Sequence, residues 1–237
     1  MDSLHSISQP AASGAASDEG LRAFMLGIFN LMTGALAVSG ATAWVTYSVL
    51  GAALKGGLLP IIFALVPLAF VLVLSFGIHR LSYGVANAVF WLFAASMGLS
   101  LASIFVLFTA TSIASVFFVS AATFATASLV GYTTNRDLTN MGTFLMVGLI
   151  GILIAGVVNI FLASSALAFA ISVIGVIVFV GLTAYDTQNL KNDYLTNGEV
   201  YGFDSPQKSA LFGALSLYLN FINIFQMLLN LLGVREE

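Results

Sequence analysis

Apolar runs of membrane-crossing length, parted by short polar clusters, set the rhythm of this chain. No charged residue falls between Ala23 and Leu50, which predicts a first helix. A Lys55-Gly56-Gly57 turn leads to a second, Leu58 to about Ile78. Its Pro60 occupies the first turn, where a missing N–H costs least, and Pro67 should kink it. His79 and Arg80 close that helix. The charge-free run Tyr83 to Tyr132 is fifty residues long, too long for one span of about 20 residues and right for two. The break is expected near Thr109 to Ser112, and Thr133-Thr134-Asn135-Arg136-Asp137 forms the next polar turn. Thr143 to Tyr185 again holds two spans, parted near Ser164-Ser165. Asn192 to Gln207 is the longest polar connection, and the seventh helix occupies about Ser209 to Leu232 before Arg235-Glu236-Glu237. Residues 1–20, rich in Ser, Ala, Gly and Asp without an apolar period, read as a flexible tail.

The fold class that follows is an all-α membrane protein with seven transmembrane helices over residues 21–237 and no soluble domain. Composition agrees: 59% of the residues are hydrophobic and 7% charged, against roughly 25% charged in soluble domains. Barrel strands would alternate over about ten residues, and the continuous run Leu58 to Ile78 contradicts that. Helices satisfy their backbone polar groups within the segment, as lipid demands. Asp18 and Glu19 precede the first run, where a secretory signal would carry positive charge. With no cysteine in the chain, disulfides, thiolate chemistry and cysteine metal sites are excluded. A net charge of -3 without a lysine or arginine cluster speaks against nucleic acid as a partner.

Orientation follows from counting Lys and Arg near helix ends. With seven spans, Arg22, Arg80, Arg136, Lys191 and Lys208 share the side of the N-terminus, and only Lys55 and Arg235 lie opposite. The N-terminus is therefore expected in the cytoplasm and the C-terminus outside. Six or eight spans would scatter these charges.

Chemistry has few places to reside. Asp186 is the only carboxylate that adjoins an apolar span, while the others fall in the tail, the connections or the C-terminus. With Leu190 and Lys191 marking the helix exit, Asp186 lies about 6 to 8 Å inside it. Such acids face the bundle interior and find a partner; the plainer alternative is an interfacial cap. In the seventh helix Ser209, Gly213, Ser216, Asn220, Asn223 and Asn230 share one face, interrupted by Met227. That face should look inward and make this helix central, either as interhelical glue or as a polar path for an ion. Arg80 and Arg136 are the candidate cation partners of Asp186, with topology determination as their alternative role. His79 reads as interfacial. Gly148, Gly151 and Gly156, with Asn159, should mark tight packing of the fifth helix. Enzyme templates fail: there is no HExxH and no P-loop lysine, and His5 and His79 are the only histidines. No catalytic residue and no cofactor is expected.

Ala184-Tyr185-Asp186-Thr187-Gln188, followed by Leu217-Tyr218-Leu219-Asn220-Phe221-Ile222-Asn223, resembles the bacterial branch of the Bax-inhibitor family. Gly131-Tyr132-Thr133-Thr134-Asn135-Arg136-Asp137-Leu138 is similar to its bacterial form, and the match covers nearly everything after the tail. The resemblance implies an inner-membrane protein whose last helix is surrounded by the other six. It also implies a pH-sensitive calcium leak, a paired-aspartate sensor between helices six and seven, and an arginine at the end of helix two that helps to close the pore. By position Asp186 matches the helix-six aspartate and Arg80 the gating arginine. Asn220 stands where many relatives carry aspartate, so a carboxylate pair sharing a proton cannot form. Calcium takes six to eight oxygens, and Asp186 with Asn220 would make a weak, transient site, which is what conduction requires.

The leading expectation is thus a calcium leak gated by an Asp186–Arg80 interaction, with Asn220 and Asn223 along the cation path and Arg136 as a secondary partner. The rival is a non-conducting regulator that binds a membrane protease or another membrane protein through the tail. Proton-coupled transport of a small solute through Asp186 is the third.

Overall fold

The computed structural model describes residues 9–77, 79–196, 202–203 and 205–236, with side chains from residue 18 onward. The helices are α1 (Gln9–Leu50), α2 (Leu59–Gly77), α3 (Tyr83–Leu101), α4 (Ile104–Leu107), α5 (Ala110–Thr133), α6 (Thr139–Leu162), α7 (Ser165–Leu195) and α8 (Pro206–Leu232). The structure is 87% helical and contains no strand among the described residues. Among the described residues seven segments are long and apolar enough to cross a membrane, with α3 and α4 together forming the third.

Local chemistry explains the breaks. Thr109 Oγ1 accepts from the Ser112 N–H at 3.3 Å, and Ser164 Oγ accepts from the Leu167 N–H at 3.3 Å. Each hydroxyl satisfies an orphan donor at a helix start, at the positions expected from sequence. Ser205 does the same for α8, accepting from the Lys208 N–H at 3.4 Å. Pro67 lies buried inside α2, which continues through it to Gly77; the expected end, Ile78, lies outside the described residues.

Four boundaries differ from expectation, the simplest being α6, which starts at Thr139 rather than Thr143. α1 already begins at Gln9, through much of the expected flexible tail. Pro10 suits a first turn, and the alanines at 11, 12, 15 and 16 are the strongest helix formers. The remaining tail, residues 1–8, lies outside the described residues. At the other end of the chain α7 runs past Asn192 to Leu195, and α8 starts at Pro206 rather than Ser209. Both extensions bury polar residues that read as loop.

The chain ends sort onto two faces. Phe24 of α1 meets Tyr194 of α7 with ring centroids 5.1 Å apart, and His79 stacks on Phe203 at 4.7 Å. Gln188 reaches the turn between α5 and α6, so the segments bearing Arg22, Arg80, Arg136, Lys191 and Lys208 share one face. On the opposite face the Thr109 N–H donates to the Val234 carbonyl at 3.0 Å, joining the C-terminus to the α4–α5 break.

Burial ranks the helices. The apolar stretch of α8 is 61% buried, against 11% for α2 and 6% for α6. α8 packs against α1, α3, α5 and α7, whereas α2 lies chiefly on α3 and α6 on α7. The shell around the last helix is thus built mainly of four helices rather than six. At Gly131 an added Cβ would stand 2.1 Å from the Ala184 carbonyl oxygen, so α5 and α7 meet backbone to backbone there. The expected packing glycines of α6 behave differently. Gly148 meets Val178, but Gly151 and Gly156 have nothing within 4 Å because α6 is an outer helix. Asn159 instead caps, its Oδ1 accepting from the Ser164 N–H at 3.0 Å.

Candidate functional site

α7 and α8 run antiparallel, and each turns a polar stripe toward the other. Asp186 is half-buried; its Oδ2 accepts from Ser216 Oγ at 2.6 Å and from Asn220 Nδ2 at 2.8 Å. The two donors are one turn apart on α8 and so share a face. Both are neutral, and hydrogen bonds to an ionised acceptor are roughly twice as strong as neutral ones.

One turn along, Leu190 covers Gly213, where an added Cβ would lie 2.4 Å from its Cδ2. Glycine here lets an apolar side chain fill the gap between helices. A further turn on, Asp193 accepts a hydrogen bond from the Ser209 hydroxyl. The seam thus alternates acid, leucine and acid on α7 against Ser216 with Asn220, Gly213 and Ser209 on α8. Asp186 and Asp193 are about 10 Å apart along the helix axis.

Asp193 is a residue that the sequence reading misses. It is assigned there to the polar connection, yet it is 1% exposed and belongs to α7. The available signal is spacing: Asp186, Leu190 and Asp193 stand at i, i+4 and i+7, matching the stripe on α8. Lys208, which precedes Ser209, is buried as well.

Gln188 is the second missed residue. Its Nε2 donates to the Arg136 carbonyl at 2.8 Å and its Oε1 accepts from the Leu138 N–H at 2.9 Å. One amide therefore clamps the turn between α5 and α6. Lys191 adds a third tie, donating to the Tyr132 carbonyl at 3.0 Å. The two similar sequence segments, 131–138 and 184–188, meet in the fold through these bonds.

The predicted arginine partners are not brought to Asp186. Arg80 is exposed after α2, on the outer layer, and is not among the hydrogen-bond or ion-pair partners of Asp186. Its charge stays beyond the end of α2, where water or headgroups can solvate it. Arg136 is also exposed, and only its backbone carbonyl joins the network. Asn223 does not reach Asp186 either: its Nδ2 donates to the Leu219 carbonyl of its own helix at 2.8 Å. Asn230 is exposed. Elsewhere on α8, Tyr218 Oη lies 2.7 Å from Ser39 Oγ, which in turn reaches the Ala94 carbonyl at 2.7 Å and links α1, α3 and α8.

Asp137, outside the spans, is a third carboxylate with a defined environment. The Thr139 hydroxyl at 2.6 Å, and then the Thr139 N–H at 2.9 Å, hold its carboxyl below the ordinary carboxylate range.

The oxygen set for a cation is sparse. Among the described residues no three His, Cys, Asp or Glu side chains cluster as a ligand set. Asn220 turns its amide nitrogen, not its oxygen, toward Asp186. The expected weak calcium site at Asp186 and Asn220 therefore offers one carboxylate and the Ser216 hydroxyl until the amide turns.

Comparison with known proteins adds a family. The profile described as "Inhibitor of apoptosis-promoting Bax1" matches residues 21–237. The inner membrane protein YbhL of Escherichia coli (strain K12) is 44% identical over 240 residues, covering 98% of this chain and 97% of that protein. An uncharacterized protein of Caulobacter vibrioides is 44% identical over 231 residues, covering 93% of this chain and 92% of the relative. The uncharacterized protein RP147 of Rickettsia prowazekii is 42% identical over 223 residues, covering 93% of each.

Proposed function

The chain belongs to the Bax inhibitor-1 family, and from that premise we propose that it is a pH-sensitive cation leak of the bacterial inner membrane. Calcium is the ion it passes, as substrate rather than resident cofactor, and the α7–α8 seam is its path. The protein is not an enzyme, and its N-terminus lies in the cytoplasm. One observation carries this reading: a carboxylate inside a membrane span is held only by neutral donors on the most buried helix. Intramembrane acids of this kind mark ion pathways.

The mechanism follows from the bonds. Ionised Asp186 draws Ser216 and Asn220 together and seals α7 on α8. Protonation removes the charge that strengthens both bonds, so acidification loosens the seam. Leu190 on Gly213 is the apolar plug that parts when the helices separate. Asp186 then meets the ion with a single carboxylate, weakly enough for it to leave. Arg80 has no part in this closed arrangement.

Calcium flux in liposomes loaded with a calcium dye tests the reading. Wild type should leak faster at acidic pH, and Asp186→Ala should lose the pH response. Equal flux for both across pH removes Asp186 from the mechanism. Flux no greater than that of empty liposomes rejects the leak and leaves the regulator as the surviving reading.

A further inference from the structure

α1 and α5 enclose a groove of about 450 Å³ whose lining is apolar except at two places. Met25, Leu26, Phe29, Phe124 and Leu129 form its walls, and Arg22 and Tyr132 stand at its end near the helix termini. From Arg22 to Phe29 the groove follows α1 for about 10 Å, most of the roughly 15 Å that one leaflet of a 30 Å hydrocarbon core provides.

The second polar place is Ser128. It is 5% exposed, lines the groove, and its Oγ is buried without a hydrogen-bond partner. Its neighbours show how unusual this is. On the same helix Ser115, Ser120, Thr123, Thr126 and Thr133 each donate to the carbonyl four residues back. That back-bond is the usual resource of a hydroxyl in a helix. Ser128 leaves it unused, so the residue that lines the groove has an uncommitted donor, which rotation about χ1 can turn toward a ligand.

Two cations stand at the mouth. Arg22 is exposed and makes no hydrogen bond or ion pair among the described residues, although Asp18 and Glu19 lie on the preceding turn. Lys191 stands over the Tyr132 ring, 5.5 Å from its centroid.

From these features we infer that the groove is a binding site for one anionic phospholipid. Its phosphate lies on Arg22 beside Tyr132, an acyl chain fills the space between Met25 and Phe124, and an ester carbonyl accepts from Ser128. A free phosphate would leave the apolar walls bare, and a zwitterionic lipid would bring a quaternary ammonium of its own to the end where Arg22 and Lys191 stand, offsetting its phosphate.

Native mass spectrometry of the full chain, released from nanodiscs of phosphatidylglycerol and phosphatidylcholine, tests this. Wild type should retain one phosphatidylglycerol in preference to phosphatidylcholine. Arg22→Gln should reduce that preference about fivefold, the effect of about one basic residue at an anionic surface. Ala125→Phe, which fills the groove, should abolish retention of either lipid, while Lys55→Gln, at the opposite membrane face, should match wild type. Equal retention of the two lipids by wild type, an unchanged preference in Arg22→Gln, or equal losses in Arg22→Gln and Lys55→Gln would each overturn the site and leave annular lipid only.

Discussion

α8 and α6 cross the same membrane by opposite means. α6 carries an almost unbroken apolar surface and is 6% buried, whereas α8 carries a serine and asparagine stripe and is 61% buried. Lipid tails solvate an apolar helix as well as a neighbouring helix does, so apolarity alone gives no reason to go inside. Polar side chains do, because a neighbouring helix offers them hydrogen-bond partners that lipid tails cannot. In this molecule the helix with the polar stripe, not the greasier one, is the more buried.

The sharpest way to break that contrast is to place the same substitution in both layers. Gly131→Val forces a side chain into the Ala184 backbone and should cost about 3 kcal/mol, as overpacking of a tight contact does. Gly151→Val meets open space and should stay within about 0.5 kcal/mol of wild type. Thermal unfolding of the two variants in one detergent compares them directly. Equal losses would mean that the outer helix packs as tightly as the inner ones.

Next in size is Gln188→Ala. It removes two hydrogen bonds to the turn after α5, each worth about 1 kcal/mol. Limited proteolysis should find that turn cut faster, while Arg136→Ala, which leaves the backbone carbonyl in place, should not change the rate. Protection equal to wild type in Gln188→Ala would show that the clamp is redundant.

The smallest effect belongs to Asp137→Asn. Because Asp137 is held below its ordinary value of 3.8 by Thr139, its contribution is present above that value and lost only as pH falls through the lower, folded one. Between about pH 5 and 8 it stays charged and cannot supply a pH response. The flux–pH profile of Asp137→Asn should therefore overlay that of wild type, and a shifted profile would make this turn part of the sensor.

Much of this architecture is written in the sequence at low resolution. Run lengths locate the spans, and Thr109 and Ser164 mark breaks where their hydroxyls cap. The inward stripe from Ser209 to Asn220 is legible from helical spacing alone. What composition hides is where a polar stretch stays helical. Asp193 lies in a segment that reads as loop, and the facing Ser209 gives one reason for its burial. Arg80 fails for the reverse reason. Topology puts it on the correct face, but nothing in a single sequence tells that α2 lies outside the shell around α8. Asn223 shares the stripe with Asn220, yet a backbone carbonyl one turn back satisfies it first.

The central claim is that the bonds between Asp186 and its partners on α8 set the response to pH. Calcium flux through Asn220→Asp in liposomes measures this most directly, because it replaces a donor 2.8 Å from Asp186 with a second acid. Two carboxylates at that distance cannot both ionise freely, so the account predicts a two-step pH profile and a higher flux near neutrality than wild type. A profile superimposable on wild type would contradict it.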